Sequence, residues 1–281
     1  MNEHFFIFNN KFYSESTPVV CAQNRGLRYG DGLFETMKMA DGKILNEDFH
    51  FERLFHGMAT LQFEIPKTCN KDFFLKKVNA LYAKNNQHKT VRIRLMIFRS
   101  NGGIFDPENH FPNYIIESWN LANERQLNNN GLDVDVLPGV RKSCDSLSHL
   151  KSNNYLPYVI AGLYAKQNKL NDCIVLNSFE RVCDTAIANI FIIQDKNIYT
   201  PPLSEGCVAG VMRRWMLEKF KMKNYFVVEK PLAINDLLQA DEFFLTNSIY
   251  HLRWVKNFRD KNYENSSAAK VYNHILQTIY G

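Results

Sequence analysis

The stretch from His149 to Phe191 changes its period twice, and a chain with that pattern cannot be all helix or all sheet. Leu156, Ile160, Leu163 and Tyr164 recur at helical spacing; two strand-like runs follow, around Cys173 to Leu176 and from Arg181 to Ile193. One lysine, Lys151, stands just before the helical run. One acid, Asp184, stands in the second strand-like run, with Thr185 and Asn189 close behind it. A lysine and a carboxylate on successive elements suit a carbonyl compound held covalently at one end and protonated at the other.

Elsewhere strands group with helices without a regular βαβ alternation, which predicts an α+β fold in two units. Phe5 to Tyr13 reads as a hairpin turning at Asn9-Asn10. Arg28 to Met39 reads as a Gly-Asp-Gly turn and an alternating strand, with a second hairpin turn at Asp41-Gly42. Helices are expected from Asn46 or Asp48, with Phe51, Leu54, Phe55, Met58 and Leu61 on one face, and over Lys71 to Asn85. Thr90 to Arg99 is a strand whose alternation puts Arg92, Arg94, Met96 and Phe98 on one face and Ile93, Leu95, Ile97 and Arg99 on the other. Without a bulge, Arg94 and Arg99 cannot both look into one pocket. The polar stretch 121–131 reads as a linker between an N-terminal unit, 1–120, and a C-terminal unit, 132–281. In the second unit the pattern predicts a strand over Leu132 to Leu137, a loop over Pro138 to Leu150, and a long helix from Val211 to about Met222. Further on it predicts a helix over Ile234 to Gln239, a strand over Glu242 to Thr246, a short strand at Trp254-Val255 and a terminal helix.

Composition narrows the function. The net charge of +5 is small for 281 residues, and the densest basic stretch (Lys76, Lys77, Lys84, Lys89) reads as one solvated helix face, so no nucleic-acid partner is expected. No run approaches the roughly 18 apolar residues of a membrane span, and the N-terminus lacks the features of a signal peptide. The six cysteines have no paired spacing, which points to free thiols in a reducing cytoplasm. The eight histidines form no metal-ligand motif, so no metal is expected.

Each candidate residue has an ordinary reading beside a chemical one. Lys151 alone is a surface lysine before a helix; in a pocket it is a nucleophile toward a carbonyl. Asp184 lies on a run that looks buried, so it needs a partner, which an arginine, backbone donors or a pyridinium nitrogen would supply. Arg53 is a helix-borne salt-bridge partner or a phosphate clamp. The turn from Gly206 to Met212 opens a helix, where small residues let backbone N–H groups approach an anion. Thr246 and Asn247 end a strand and offer a hydroxyl and an amide, which turn formation explains equally well.

In combination and order these stretches resemble the fold-type IV pyridoxal-phosphate enzymes, the class IV aminotransferase family. The matching segments are YGDGLFETMKMADGKI at 29–44, HFERLFHGMATLQF at 50–63, LKSNNYLPYVIAGLYAK at 150–166, LNSFERVCDTAIANIFII at 176–193, GCVAGVMRRWMLE at 206–218 and DEFFLTNSI at 241–249. The resemblance implies a D-amino-acid-aminotransferase-like architecture: a smaller α/β N-terminal domain and a larger C-terminal domain with a β-barrel-like core. It implies pyridoxal 5'-phosphate as cofactor, amino acids and 2-oxo acids as substrates, and a homodimer. Position by position, Lys151 matches the lysine that holds the cofactor as a Schiff base and moves the proton, and Arg53 matches the phosphate-binding arginine. Val211 and Met212, through their backbone N–H groups, and Thr246 match the rest of the phosphate cup. Tyr155 matches, loosely, a tyrosine directed at the ring's 3′-oxygen. Arg94 and Arg99 match two alternative positions of a substrate-carboxylate-binding residue, with Arg94 preferred on strand parity; Tyr29 and Thr36 fall on the substrate side.

The chain departs from the family pattern twice. The acid that pairs with the pyridine nitrogen is normally glutamate, and here it is Asp184, one methylene shorter. Met212 stands where many members have threonine. Three activities are consistent with the resemblance: transamination, release of pyruvate and 4-aminobenzoate as by an aminodeoxychorismate lyase, and cofactor binding without catalysis.

Overall fold

The computed structural model describes residues 3–104, 106–122 and 125–281. The chain divides into two compact units, Met1–Glu124 with Lys151–Asn154, and Arg125–Leu150 with Tyr155–Gly281.

The first unit is a six-stranded sheet under two helices. Its strands are β1 (Phe5–Phe8), β2 (Lys11–Ser14), β3 (Gly32–Ala40), β4 (Lys43–Ile44), β5 (Thr90–Arg99) and β6 (Pro112–Asn120), in the order β2-β1-β6-β5-β3-β4. A short helical turn, α1 (Arg25–Tyr29), precedes β3; five residues are too few to establish a helical period, so the sequence pattern does not reveal it. α2 (Glu47–Thr60) carries Glu47 and Asp48 in its first turn, where carboxylates favour the positive end of the helix dipole. α3 (Lys71–Lys84) is capped by the Asn70 side chain, which accepts from the Phe73 amide. The pleat of β5 gives the sheet its two faces. Val91, Ile93, Leu95 and Ile97 are fully buried beside Phe51, Leu54 and Met58 of α2 and Phe74, Val78 and Leu81 of α3, each such side chain contributing about 1.5–3 kcal/mol. Arg92, Arg94 and Met96 take the other face.

The second unit is built on a closed ring of strands. These are β7 (Leu132–Lys142), β8 (Asp172–Asn177), β9 (Val182–Thr185), β10 (Asn189–Gln194), β13 (Glu242–Asn247) and β14 (His251–Phe258). They pair in the order β10-β13-β14-β7-β8-β9, and the pairing of β9 with β10 closes the six-stranded barrel. β11 (Asn197–Thr200) and β12 (Phe226–Glu229) extend it beyond β10, and β15 (Lys261–Asn262) pairs with β14. The helices are α4 (Leu156–Gln167), α5 (Val211–Glu218), α6 (Ile234–Gln239) and α7 (Ser266–Tyr280). β8 is buried on both sides: Ile174 and Leu176 join Ile190, Phe243 and Val255 in one core cluster, while Cys173 and Val175 join Tyr158, Ala161 and Ala165 of α4 in another.

Three differences from the sequence reading have physical causes. Pro138 and Gly139 read as the start of a loop, yet β7 continues to Lys142; its register against β8 shifts between Val136 and Arg141, which accommodates both residues. The run Arg181 to Ile193 is two antiparallel strands, β9 and β10, joined through Ala186–Ala188. Lys151 follows β7 in the chain, but its segment pairs with β3: Phe34 N–H donates to Lys151 O at 3.0 Å and Asn153 N–H to Gly32 O at 2.9 Å. Gly32 is required for that approach, because a Cβ there would lie 2.3 Å from the Ile97 carbonyl oxygen and 2.6 Å from Asn153 Nδ2.

Candidate active site

In the first unit, three cations gather near the start of β3. Lys151 Nζ lies 4.4 Å from the centre of the Phe34 ring and Arg94 Cζ lies 4.5 Å from it, so both charges share one aromatic plate. Thr36 pairs directly with Arg94 across β3 and β5, which puts its side chain on the same face. On the other side of β5, Arg94 pairs with Glu117, whose carboxyl is pushed up by burial against the pull of Arg94. Glu117 also lines a cavity of about 180 Å³ with Met96, Ile115 and Trp119. Tyr29 is exposed, and the Arg25 guanidinium lies 4.9 Å from its ring centre.

The third cation is Arg53. Its Nε donates to Glu35 Oε1 at 2.8 Å and its Nη2 to Glu35 Oε2 at 2.6 Å, a two-point pairing that fixes the plane of the guanidinium. His50 Nδ1 lies 2.6 Å from Glu35 Oε2, and both His50 and Glu35 are fully buried. Burial alone would raise the Glu35 carboxyl; Arg53 and His50 overcome it and bring it down to about 2. Burial holds His50 below its ordinary value despite Glu35, so the ring is neutral and Nδ1–H donates to the carboxylate. Glu35 and His50 carry this arrangement, and neither stood out in the sequence.

Arg99 is engaged elsewhere. Its Nε donates to both Asp31 oxygens at 3.2 and 3.0 Å, its Nη1 to the Gln62 carbonyl at 3.4 Å, and its Nη2 to the Leu61 carbonyl, while the guanidinium stacks on Phe63. Strand parity puts it opposite Arg94, and these bonds give it a structural task.

In the second unit the strand register aligns three polar residues. Asp184 pairs with Asn189, and Asn189 pairs with Thr246, so β9, β10 and β13 present them side by side on one face. Asn189 Nδ2 donates to the Val208 carbonyl at 2.9 Å, and the Val208 amide donates to Asp184 Oδ2 at 2.9 Å. Together they dock the loop that leads into α5. Gly210 ends that loop, where a Cβ would lie 1.9 Å from Asn189 Oδ1. α5 begins at Val211 and Met212 with no side-chain cap on its N-terminus. Tyr155 ends the segment before α4, its hydroxyl 3.4 Å from the Ala186 carbonyl and its ring 4.4 Å from that of Tyr158.

Two buried polar atoms in this row have no hydrogen-bond partner in the protein, Asp184 Oδ1 and Thr246 Oγ1. A native fold rarely leaves such atoms unsatisfied without a reason, and a ligand is one. A bare carboxylate oxygen fits a protonated ring nitrogen; a hydroxyl beside a helix N-terminus fits a phosphate. The donor set therefore suits the cofactor implied by the sequence. Among the described residues there is no cluster of His, Cys, Asp or Glu that could hold a metal ion, and no helix is long and apolar enough to cross a membrane.

Comparison with known proteins gives a consistent picture. The family model described as amino-transferase class IV matches residues 32–258. A relative from Methanocaldococcus jannaschii, provisionally named a branched-chain-amino-acid aminotransferase, is 29% identical over 85% of this chain and 83% of its own. The aminodeoxychorismate lyase of Bacillus subtilis is 28% identical over 97% of this chain and 92% of its own. Among solved structures, the branched-chain aminotransferase of Thermoproteus uzoniensis, crystallised with norvaline, superposes with a TM-score of 0.89 over 99% of this chain and 96% of its own, at 19% identity.

Proposed function

We propose that this chain, which belongs to the amino-transferase class IV family, is a pyridoxal-phosphate-dependent enzyme that moves an amino group between an amino acid and a 2-oxo acid. The observation that carries the reading is the Asp184 carboxylate, held at Oδ2 and without a partner at buried Oδ1. Pyridoxal phosphate, when bound, supplies an electron sink that makes the substrate Cα proton removable. Lys151 bonds to the cofactor carbonyl and, once released by substrate, holds and returns the proton at Cα. Arg53, oriented by Glu35, binds the phosphate, as do Thr246 Oγ1 and the backbone N–H groups of Val211 and Met212. Asp184 accepts from the ring nitrogen, and Tyr155 faces the 3′-oxygen. Arg94 binds the substrate carboxylate, with Thr36 and Tyr29 completing that side.

The assay is a panel of L- and D-amino acids with 2-oxo acid acceptors, following the new amino acid formed. The kinship with the lyases supports a second reading, elimination, for which the Thr36 hydroxyl beside Arg94 is a proton carrier. Pyruvate released from aminodeoxychorismate with no acceptor present would establish it. A yellow, cofactor-loaded protein inactive in both assays would leave cofactor binding alone. Arg94→Ala is expected to raise KM for the carboxylate substrate about 10- to 100-fold, the worth of one charged hydrogen-bonding group. An unchanged KM would remove Arg94 from the substrate side.

The quaternary reading is a homodimer. α4 exposes Leu156 (69%), Val159 (50%) and Leu163 (51%) along one helix, more apolar surface than a lone subunit ordinarily shows to water. Replacing Leu156 and Leu163 together by glutamate is expected to give monomers in analytical ultracentrifugation; an unaltered sedimentation coefficient would place any interface elsewhere. The six cysteines are free thiols, in keeping with a reducing cytoplasm.

A further inference from the structure

The carboxylate of Asp184 is a methylene shorter than the family glutamate, and two side chains that the sequence did not single out hold it. Lys142 of β7 and Tyr158 of α4 are buried, at 8% and 6% exposure. The Tyr158 hydroxyl donates to Asp184 Oδ2 at 2.8 Å. Lys142 Nζ lies 3.5 Å from the same oxygen and donates to the Tyr158 hydroxyl. Burial, and then the Asp184 carboxylate, push the Tyr158 phenol well above its usual range, so it acts as a donor and stays protonated. With the Val208 amide, these groups place every hydrogen bond on Oδ2 and none on Oδ1. A carboxylate buried without a counter-charge would take up a proton and stop being an acceptor; the Lys142 ammonium opposes that.

We propose that Lys142 and Tyr158 are positioning residues that pin Asp184 through Oδ2 and keep it anionic, so that Oδ1 accepts the ring N–H of the pyridine cofactor. The proposal rests on the pyridoxal-phosphate reading. It also explains how an aspartate serves where relatives of this type use glutamate: its orientation is fixed from behind by a hydroxyl, an ammonium and an amide. Neither Lys142 nor Tyr158 needs to touch the cofactor; each acts through Asp184.

The test loads wild type and variants with pyridoxal phosphate labelled with 15N in the ring and reads the nitrogen shift by NMR, with the cofactor Kd from equilibrium dialysis. Wild type is expected to show a protonated ring nitrogen. Lys142→Met and Tyr158→Phe are expected to move the signal toward that of neutral pyridine, the position given by Asp184→Asn. They should also weaken Kd about 10- to 100-fold, the effect typical of residues that orient a ligating group. Lys142→Arg, which restores a cation, should return the signal toward wild type. Melting curves of the cofactor-free proteins separate folding from binding, and Tyr158→Phe, which removes one hydroxyl, carries the test if Lys142→Met fails to fold. A ring nitrogen still protonated in Tyr158→Phe and Lys142→Met, with Kd within about twofold of wild type, overturns the proposal. A wild type that takes up no cofactor overturns the pyridoxal-phosphate reading itself; coloured wild type with unaltered variants overturns only the positioning roles.

Discussion

Replacing Lys151 by alanine is expected to abolish the visible absorbance of the cofactor-loaded protein and to lower turnover by at least on the order of 10⁴-fold. The side chain has two tasks, bonding to the carbonyl and moving a proton, and proton transfer alone is worth up to about that factor. The fold should survive. The segment is tied to β3 through backbone groups, Phe34 N–H to Lys151 O and Asn153 N–H to Gly32 O, which alanine retains. What is lost is the ammonium above the Phe34 ring, a contact worth about 0.5–2 kcal/mol. The melting temperature of the cofactor-free variant should therefore stay within a few degrees of wild type. A variant that keeps both the absorbance and the turnover would show that another group does the chemistry.

That experiment separates chemistry from fold because the site rests on pairings remote in sequence, and the same fact sets what could be read in advance. Local rules worked where the signal was local. The pleat of Thr90–Arg99 separates Arg94 from Arg99 on sequence alone, and in the fold Arg94 lies against Phe34 while Arg99 is bound to Asp31 and two carbonyls. Local rules failed where a breaker lies inside an element. Pro138-Gly139 reads as a loop, so Lys142 had no predicted strand to face along, and its link to Tyr158 and Asp184 was invisible. The alignment of Asp184, Asn189 and Thr246 depends on the register of three strands separated by up to sixty residues, which no window of sequence contains. Likewise chain order puts Lys151 after β7, whereas its hydrogen bonds put it on β3. One missed signal was available: Glu35 occupies the parity of Leu33, Met37 and Met39, an acid in an otherwise apolar row. Such an acid has to be paired, and His50 and Arg53, three apart on the facing helix, are the pair.

Glu35→Gln is accordingly expected to be the most destabilising single change among the site residues. It leaves the Arg53 guanidinium and the His50 ring facing a neutral amide in a place closed to water, and breaking a buried ion pair from one side costs about 3–5 kcal/mol. For a chain of this size that corresponds to a fall in Tm of roughly 6–15 °C. The pH dependence gives an independent signature. The folded carboxyl, at about 2, lies below its ordinary 4.5, so its stabilisation is complete above pH 4.5 and is lost as pH falls from there toward 2, about 3 kcal/mol in all. His50 is also lowered, so the unfolded chain takes up its proton first, and stability begins to fall as pH drops through 6.5. Wild type should thus lose stability in two stages on acidification. In Glu35→Gln the stage below pH 4.5 should be smaller by about the Glu35 contribution, and cofactor affinity should fall because Arg53 no longer has a fixed plane to present to the phosphate. Thermal melts at neutral pH and near pH 4 measure the stability terms, and equilibrium dialysis measures the affinity. A variant that melts within about 2 °C of wild type at both pH values would mean that Glu35 does not hold Arg53 in place.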